Sequence, residues 1–226
     1  MNVSVLMPSY KNPRHCEHVV QNLQKLASSE HQFEVVVRVD DTDPEIGRYK
    51  DWLASRVDRP PFIKLIVGPH LRGYTDLNFM YDECARQSSG EVLLSYNDDL
   101  TCETNLWDVV YLRKALENQM RPISSIVTGD HYRWAFPAIS RELYDKVGQF
   151  CPGNVSAFDR VWDAVSVAGG WTQDECQAPV ILHHPRAPMV EGTERAAHCN
   201  NVQVEWDNLN ALWRQTGGDV IRKVRQ

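Results

Sequence analysis

The sequence predicts an α/β fold in which a mainly parallel sheet is flanked by helices. In the first half of the chain, short apolar runs rich in β-branched residues alternate with segments whose apolar side chains recur at helical spacing. This order is typical of parallel strands joined by crossover helices. Polar residues directly follow each apolar run, and open parallel sheets bind ligands beyond the carboxyl ends of their strands. The sequence therefore also predicts the edge of the sheet at which a site would lie.

Four apolar runs in the first half predict buried strands, at residues 3–7, 33–39, 62–67 and 92–94. Three helices are predicted between them. The first follows Asn12-Pro13, the second begins with Asp43 as its N-cap and Pro44 at its first position, and the third covers residues 75–87.

The second half of the sequence is less regular. It predicts helices over residues 104–119, 142–147, 158–168 and 201–214, and strands over residues 123–127 and 180–182. Gly148 closes the second of these helices, and Gly169-Gly170 close the third. No repeat or linker divides the sequence, so we expect one domain over residues 1–226.

Charge and cysteine usage narrow the class of protein. The formal net charge of -6 argues against broad binding of nucleic acid, which needs a surplus of Lys and Arg. The sequence contains no run of about 18 apolar residues, so we expect no membrane span. The N-terminus has neither the basic flank nor the apolar core of a signal peptide, and the six cysteines form no CxxC pair. We therefore expect a cytoplasmic protein with reduced thiols.

The segment GEVLLSYNDD carries the strongest chemical signal. Its apolar run ends in Asn97, Asp98 and Asp99. Two adjacent carboxylates repel each other unless a cation or a donor compensates them, and hard divalent cations prefer oxygen ligands. The alternative is an ordinary strand followed by an Asx turn. The other predicted strands also end in polar residues, namely Ser9-Tyr10, Asp40-Asp41 and residues 70–74. Because four strands deliver polar groups to one edge, the pattern favours a site.

These motifs resemble the nucleotide-sugar glycosyltransferases of the GT-A fold, in particular the large inverting glycosyltransferase family 2. The resemblance covers roughly residues 1–185. Its motifs are VSVLMPSYKNP, VVVRVDDTDP, the spaced residues Gly73, Asn78, Ala85 and Gly90-Glu91, then YNDD, AISRELYDKVG, and Phe158-Asp159 ahead of Gly169. YNDD resembles the DXD metal motif, with Asn97 in place of the first Asp, and Ala85 lies farther from Gly90 than the family pattern has it.

The resemblance implies a nucleotide-binding half over residues 1–100 and an acceptor half over residues 101–190, and we expect a C-terminal loop and helix over residues 191–226. It implies that Asp99 binds Mn²⁺ or Mg²⁺, together with His183 or His184, between which the sequence does not choose. The residues that it implies for the donor are Pro8, Ser9, Tyr10, Asp40, Asp41, Arg72, Asn78, Asn97 and Asp98.

Structural alternatives to these roles stay open. Asp40 and Asp41 would also suit an Asx turn, Tyr10 a core position, and Arg72 a solvated loop. Asp98 is either a second metal ligand or a contact of the donor ribose, and either histidine alone is as often structural as functional.

Asp159 is the general base that the resemblance implies for an inverting transfer. The alternative is an exposed acid in the first turn of a helix, where a carboxylate suits the helix dipole. Asp163, one turn later, is expected on the surface or behind the site.

The function predicted on these grounds is metal-dependent transfer of a sugar from a nucleotide-diphosphate donor, with a UDP-sugar expected, to a hydroxyl acceptor. The acceptor class stays open among a glycan, a lipid-linked saccharide and a small molecule. One alternative is an inactive nucleotide- or glycan-binding module of the same fold, because Asn97 replaces an acid. The other is a sugar nucleotidyltransferase, which needs a Gly-rich loop after the first strand, and SYKNPRH has no glycine.

Overall fold

A computed structural model describes residues 2–29, 32–56, 61–117, 119–128, 134–154, 157–184 and 206–226. The strands in these ranges are β1 (Asn2–Pro8), β2 (Gln32–Asp40), β3 (Phe62–Gly68), β4 (Val92–Ser95), β5 (Thr101–Cys102), β6 (Ser124–Thr128), β7 (Ala138–Ser140) and β8 (Gln177–His183). The helices are α1 (Pro13–Leu26), α2 (Ile46–Ala54), α3 (Leu77–Gln87), α4 (Trp107–Glu117), α5 (Arg141–Val147), α6 (Phe158–Gly169), α7 (Gln173–Cys176) and α8 (Trp206–Val224).

The main sheet has five strands in the order β3-β2-β1-β4-β7. The first four are parallel, and β7 runs antiparallel to β4 at one edge. This arrangement confirms the predicted α/β class. The chain moves from β1 outward to β2 and β3, then crosses back to place β4 on the other side of β1. The carboxyl ends of β1 and β4 therefore flank the topological switch point, where sheets of this kind bind ligands.

Both faces of β1 are buried, which explains its nearly continuous apolar sequence. Val3, Val5 and Met7 belong to one apolar core, and Leu6 belongs to the core on the opposite face. Val5 pairs with Val35 of β2 on one side and with Leu94 of β4 on the other. The central strand is therefore enclosed by helices above and below and by strands on both sides.

A second, smaller sheet has the strand order β5-β8-β6. In it β8 pairs antiparallel with β5 and parallel with β6. Thr101 and Thr128 both lie opposite His183, the last residue of β8. Since β5 begins two residues after Asp99, this register brings the end of β8 to the carboxyl end of β4.

The helix after β2 begins later than the sequence predicts. α2 begins at Ile46, and the residues before it form a turn. The carboxylate of Asp43 accepts hydrogen bonds from the backbone N–H of Glu45 at 2.8 Å and of Lys11 at 2.7 Å. Asp43 thus holds its own turn as well as Lys11, whose φ of 56° is unusual for a residue with a side chain. The tie to Lys11 joins this turn to the loop after β1.

The predictions for the second half give no bounds for the short elements β5, β7 and α7, and those that they give differ from the structure in length. Left-handed Gly148 and Gly170 end α5 and α6 as predicted. β8 is longer than residues 180–182, and α8 runs to Val224 although its predicted end is residue 214. α8 continues through Gly217-Gly218 because it packs on α6. A Cβ atom on Gly217 would lie 2.7 Å from the carbonyl carbon of Ala164.

The described cysteines, Cys16, Cys84, Cys102, Cys151 and Cys176, are buried thiols that form no disulfide with one another. Cys199 lies outside the described residues. In the described part of the chain, every helix is too short or too polar to cross a membrane. The division at residues 100 and 190 stays a prediction.

Adjacent glycines of α8 allow a matched test of its packing on α6. Gly217→Ala should lower the free energy of unfolding by about 1–3 kcal/mol, because the methyl group would force the two helices apart. Gly218→Ala should be neutral or stabilising by up to about 1 kcal/mol, since its Cβ would have its nearest neighbour, an Arg222 nitrogen, at 3.7 Å. Urea unfolding of both variants measures the difference. Equal effects would contradict the close packing of the helices.

Candidate functional site

A pocket of about 460 Å³ lies at the switch point, between the carboxyl ends of β1 and β4. Its lining residues are Pro8, Ser9, Tyr10, Asn12, Asp40, His70, Leu77, Met80, Asn97, Asp98 and Asp99. Most of the residues predicted to bind a donor therefore meet in one place. Asp41, Arg72 and Asn78 are outside this lining.

Asp98 is held from the loop that follows β1. The Ser9 hydroxyl donates a hydrogen bond to Asp98 Oδ2 at 2.5 Å. Burial raises the pKa of Asp98 to about 6, and the neighbouring charge of Asp99 adds to the rise, while the Ser9 hydrogen bond opposes it. Asp98 is therefore an acid of the pocket that is costly to ionise.

Asp99 faces a different partner. Its Oδ2 lies 3.4 Å from Nε2 of His184, a buried residue whose ring packs on Phe136 at a centroid distance of 5.8 Å. His183 is exposed, and its Nδ1 lies 3.1 Å from Oγ1 of Thr128. The structure thus brings His184, rather than His183, to the predicted metal ligand. The sequence alone left that choice open.

The two acids are directed toward different parts of the fold, Asp98 toward the loop after β1 and Asp99 toward the end of β8. Asn97 is tied to a third element, because its Oδ1 accepts a hydrogen bond from the Tyr81 hydroxyl of α3 at 2.9 Å. Within the described ranges, no group of three or more His, Cys, Asp or Glu side chains is placed to hold a metal ion. Asp99 offers a carboxylate oxygen and His184 an imidazole nitrogen, a pair of ligand atoms that suits a transition metal. A bound ligand would have to supply the remaining ligand atoms.

Asp40, at the end of β2, is part of a buried charge network. The guanidinium of Arg38, which has no solvent exposure, donates to Asp40, to Glu83 at 2.9 Å and to the Pro69 carbonyl at 2.5 Å. The other oxygen of Asp40 lies 2.8 Å from Nδ1 of His70. The buried arginine compensates the charge of Asp40, so a carboxylate can line the pocket without a cation from solution.

Two exposed rings lie at the same end of the pocket. Tyr10 is 46% exposed, and the centroid of its ring lies 6.4 Å from that of His70, with an interplanar angle of 43°. The structure therefore places Tyr10 at the surface of the pocket rather than in the core. Asp41 is exposed nearby, and its Oδ1 accepts the backbone N–H of His70 at 3.2 Å.

The remaining predicted site residues lie around the pocket. Arg72 is exposed and makes paired hydrogen bonds to Asp76, through Nε at 2.9 Å and Nη2 at 2.8 Å. Asn78 is buried in the first turn of α3. Their roles in donor binding stay predictions.

Asp159 lies in the first turn of α6 and is partly buried. Its neighbour Phe158 packs on Tyr81 at a centroid distance of 5.0 Å, and the Tyr81 hydroxyl donates to Asn97. This contact joins the start of α6 to the residues after β4. The role of Asp159 as a base stays a prediction.

Sequence reasoning missed Arg38 and His70. Arg38 interrupts the run VVVRV, and an arginine inside a buried strand requires a buried partner. That signal pointed to a charge pair, and Asp40 two residues later is on the same face of the strand. No sequence signal singled out His70 among the polar residues that follow β3.

Solved structures share this fold. S. aureus TarS 1-349 in complex with UDP is 13% identical over 98% of this chain and 71% of that chain, with a TM-score of 0.56. The mannosyltransferase PcManGT from Pyrobaculum calidifontis, in complex with GDP-Man and Mn²⁺, is 13% identical over 97% of this chain and 74% of that chain, with a TM-score of 0.60. GalNAc-T7 with UDP, GalNAc and Mn²⁺ is 11% identical over 92% of this chain and 49% of that chain, with a TM-score of 0.59.

These likenesses establish the GT-A fold that the sequence motifs predict. The chain spans 60% of a further structure of TarS 1-349 and 43% of a longer TarS structure. No family model and no curated protein sequence matches this chain.

The raised pKa of Asp98 predicts a pH-dependent cost to stability in the metal-free protein. The folded protein binds the proton of Asp98 more tightly than the unfolded chain, so the free energy of unfolding falls as pH rises from about 4 through about 6. A change from the ordinary value of about 3.9 to about 6 corresponds to up to roughly 3 kcal/mol.

Asp98→Asn removes this titration and can still accept the Ser9 hydrogen bond. We expect it to stabilise the protein by about 1–3 kcal/mol at about pH 7.5 and by clearly less at about pH 5. Urea unfolding with a chelator present measures both values. Asp41→Asn is the control, since this exposed acid should show the same small effect at both pH values. An equal gain for Asp98→Asn at both pH values would contradict the raised pKa.

Proposed function

We propose that this protein is a metal-dependent glycosyltransferase that moves a sugar from a nucleotide-diphosphate donor to a hydroxyl acceptor with inversion. The observation that carries the proposal is the acidic pocket at the switch point of a GT-A fold. It combines Asp98 and Asp99 after β4 with Ser9 after β1 and Asp40 after β2. Structures of the same fold hold UDP, or GDP-Man with Mn²⁺.

The nucleoside would occupy the end of the pocket that carries Tyr10, His70 and Asp40. Exposed aromatic rings offer a stacking surface to a base, and a carboxylate accepts hydrogen bonds from a base N–H or a ribose hydroxyl. Pro8, Ser9 and Asn97 complete the walls, and Asp41 borders this end. A UDP-sugar is the donor that we propose, by analogy with the UDP complexes of the same fold.

Asp99 and His184 would hold the divalent cation, and diphosphate oxygens would complete its shell. An imidazole ligand favours Mn²⁺ over Mg²⁺. When bound, the cation would neutralise negative charge on the departing nucleoside diphosphate. Arg72 would also neutralise charge on the diphosphate if its guanidinium left Asp76 and paired with the diphosphate oxygens. Asn78, in the first turn of the helix that follows, would lie beside the donor.

Asp159 would act as the general base. In an inverting transfer, the acceptor oxygen bonds to the anomeric carbon as the bond from that carbon to the diphosphate oxygen breaks. The proton of the acceptor hydroxyl passes to the Asp159 carboxylate, and the electron pair leaves with the diphosphate. The acceptor would be a glycan, a lipid-linked saccharide or a small molecule with a free hydroxyl group.

The pairing of Asp99 with His184 predicts which substitutions remove metal-assisted donor binding. Mn²⁺ should tighten the binding of UDP to the wild-type protein at least about tenfold. Asp99→Ala should abolish this enhancement, and His184→Gln should reduce it strongly, because each removes one of the two protein ligands. His183→Gln is the matched control and should leave it unchanged. Calorimetry with Mn²⁺ and with a chelator measures all four proteins. Loss in His183→Gln but not in His184→Gln would reverse the assignment.

If Asp159 is the general base, its substitution should lower the rate of sugar transfer but leave the affinity for UDP nearly unchanged. Asp159→Asn should bind UDP within about twofold of the wild type and lose roughly 10²–10⁴-fold in transfer rate, since the amide cannot take the proton. Release of UDP from UDP-sugars, in the presence of pooled glycan and small-molecule acceptors, measures the rate. Asp163→Asn, one turn later on the same helix, serves as the control. Retained transfer in Asp159→Asn would exclude this base.

One observation favours a second candidate, a nucleotide-binding module without turnover. Asn97 stands where the DXD motif has its first acid, and its oxygen is already engaged by Tyr81. If UDP with Mn²⁺ stabilises the protein but no donor and acceptor pair releases UDP, the module is the better description.

A further inference from the structure

The Ser9 hydroxyl, in the wall of the pocket, is the centre of a small hydrogen-bond network that extends behind it. Its oxygen lies 2.5 Å from Asp98 Oδ2, 2.7 Å from the Tyr49 hydroxyl and 3.2 Å from the Cys16 thiol. Tyr49 and Cys16 have no solvent exposure, and neither lines the pocket. The Tyr49 oxygen lies 3.0 Å from the backbone N–H of Asn12, in the loop that follows β1.

Elementary donor counting fixes the direction of each hydrogen bond. A carboxylate only accepts, so the single proton of Ser9 must point to Asp98. The Tyr49 hydroxyl and the Cys16 thiol must then donate to the two lone pairs of the Ser9 oxygen. The backbone N–H of Asn12 donates to Tyr49. Burial raises the pKa of both Tyr49 and Cys16, which keeps both groups protonated as donors.

This arrangement uses the full hydrogen-bonding capacity of Ser9, one donor and two acceptors. A hydroxyl with every bond made has no second orientation available to it. Its proton is therefore directed to Asp98 before any ligand enters, and one oxygen of that carboxylate is fixed. An acid fixed in this way is preorganised, so a ligand that binds it has less freedom to remove.

We propose that Tyr49, a residue of α2 outside the pocket, is a positioning residue for the nucleotide donor and acts through Ser9 on Asp98. The inference rests on the proposed function, because it assumes that Asp98 contacts the donor. Tyr49 contributes the hydrogen bond that turns the Ser9 hydroxyl toward the acid. Without it, Ser9 can rotate and donate elsewhere, and Asp98 loses its fixed orientation.

A merely structural tyrosine is the competing explanation, and the protein contains a matched control for it. Tyr111 is also fully buried, and its hydroxyl forms a hydrogen bond with the Ser125 hydroxyl at 2.5 Å. This second tyrosine–serine pair joins α4 to β6, and neither member lines the pocket. Tyr49→Phe and Tyr111→Phe each remove one tyrosine–serine hydrogen bond. Tyr49→Phe also removes the bond from the Asn12 N–H, and the double variant with Ser9→Ala separates that effect from the one carried by Ser9.

The test measures UDP affinity by calorimetry with Mn²⁺ present, at about pH 7.5 where carboxylates are ionised. Tyr49→Phe should weaken UDP binding about tenfold, the effect of one hydrogen bond. Tyr111→Phe should bind UDP like the wild type. Ser9→Ala should weaken binding at least as much, and adding Tyr49→Phe to it should weaken binding no further, because Tyr49 acts through Ser9. Thermal unfolding of all variants checks that each is folded at the assay temperature.

Three results would overturn the inference: wild-type affinity in Tyr49→Phe, an equal loss in Tyr111→Phe, or a further loss when Tyr49→Phe is added to Ser9→Ala. Should the wild-type protein bind neither UDP nor GDP with Mn²⁺, both the proposed function and this role of Tyr49 fall. Failure of the Tyr49 role alone is recognised by intact wild-type binding, so the two failures are distinguishable.

Discussion

The position of β1 between β2 and β4 is the constraint on which the rest of the structure depends. β1 is buried on both faces and paired on both edges, so its sequence has to be almost wholly apolar until the sheet ends. The chain leaves the sheet at Pro8 after β1 and at Asn97 after β4. Because the chain runs outward from β1 to β2 and β3 and then returns to place β4 on the other side of β1, a crevice opens between the ends of β1 and β4. Ser9, after β1, and Asp98 and Asp99, after β4, therefore lie on opposite sides of this crevice.

The three acids of the pocket differ in how their charges are compensated. Asp40 is compensated by a buried arginine, and Asp99 faces a buried histidine, whereas Asp98 has neutral partners such as the Ser9 hydroxyl. Burial raises the pKa of Asp98, and its hydrogen bond from Ser9 only partly opposes the rise. A protein that needed only to fold would be more stable with a neutral side chain at this position. The retained carboxylate is therefore better explained by a ligand than by the fold.

Sequence reasoning found the parallel strands β1 to β4 and the edge of the sheet that carries the pocket, because hydrophobic periodicity and apolar content are local properties of a sequence. It gave no bounds for β5 and β7, which are only two and three residues long. It found Ser9, Asp40, Asp98 and Asp99 because each lies at the end of a strand or a few residues after it. It could not choose between His183 and His184, because that choice depends on the register of β8 against β5, which no local pattern encodes. The continuation of α8 through two glycines depended likewise on a distant helix, α6, whose close approach to Gly217 leaves no room for a side chain.

A neutral residue at position 97, where the DXD pattern has an acid, suits the negative charge of the neighbouring Asp98 and Asp99. Asp98 already has a raised pKa, and the adjacent Asp99 contributes to the rise. A third carboxylate at position 97 would increase this repulsion in a partly buried site. The amide oxygen of Asn97 still accepts the hydrogen bond from Tyr81, whose pKa is raised chiefly by its burial and also by the nearby acids. Asparagine thus keeps the link between the end of β4 and α3 without adding charge.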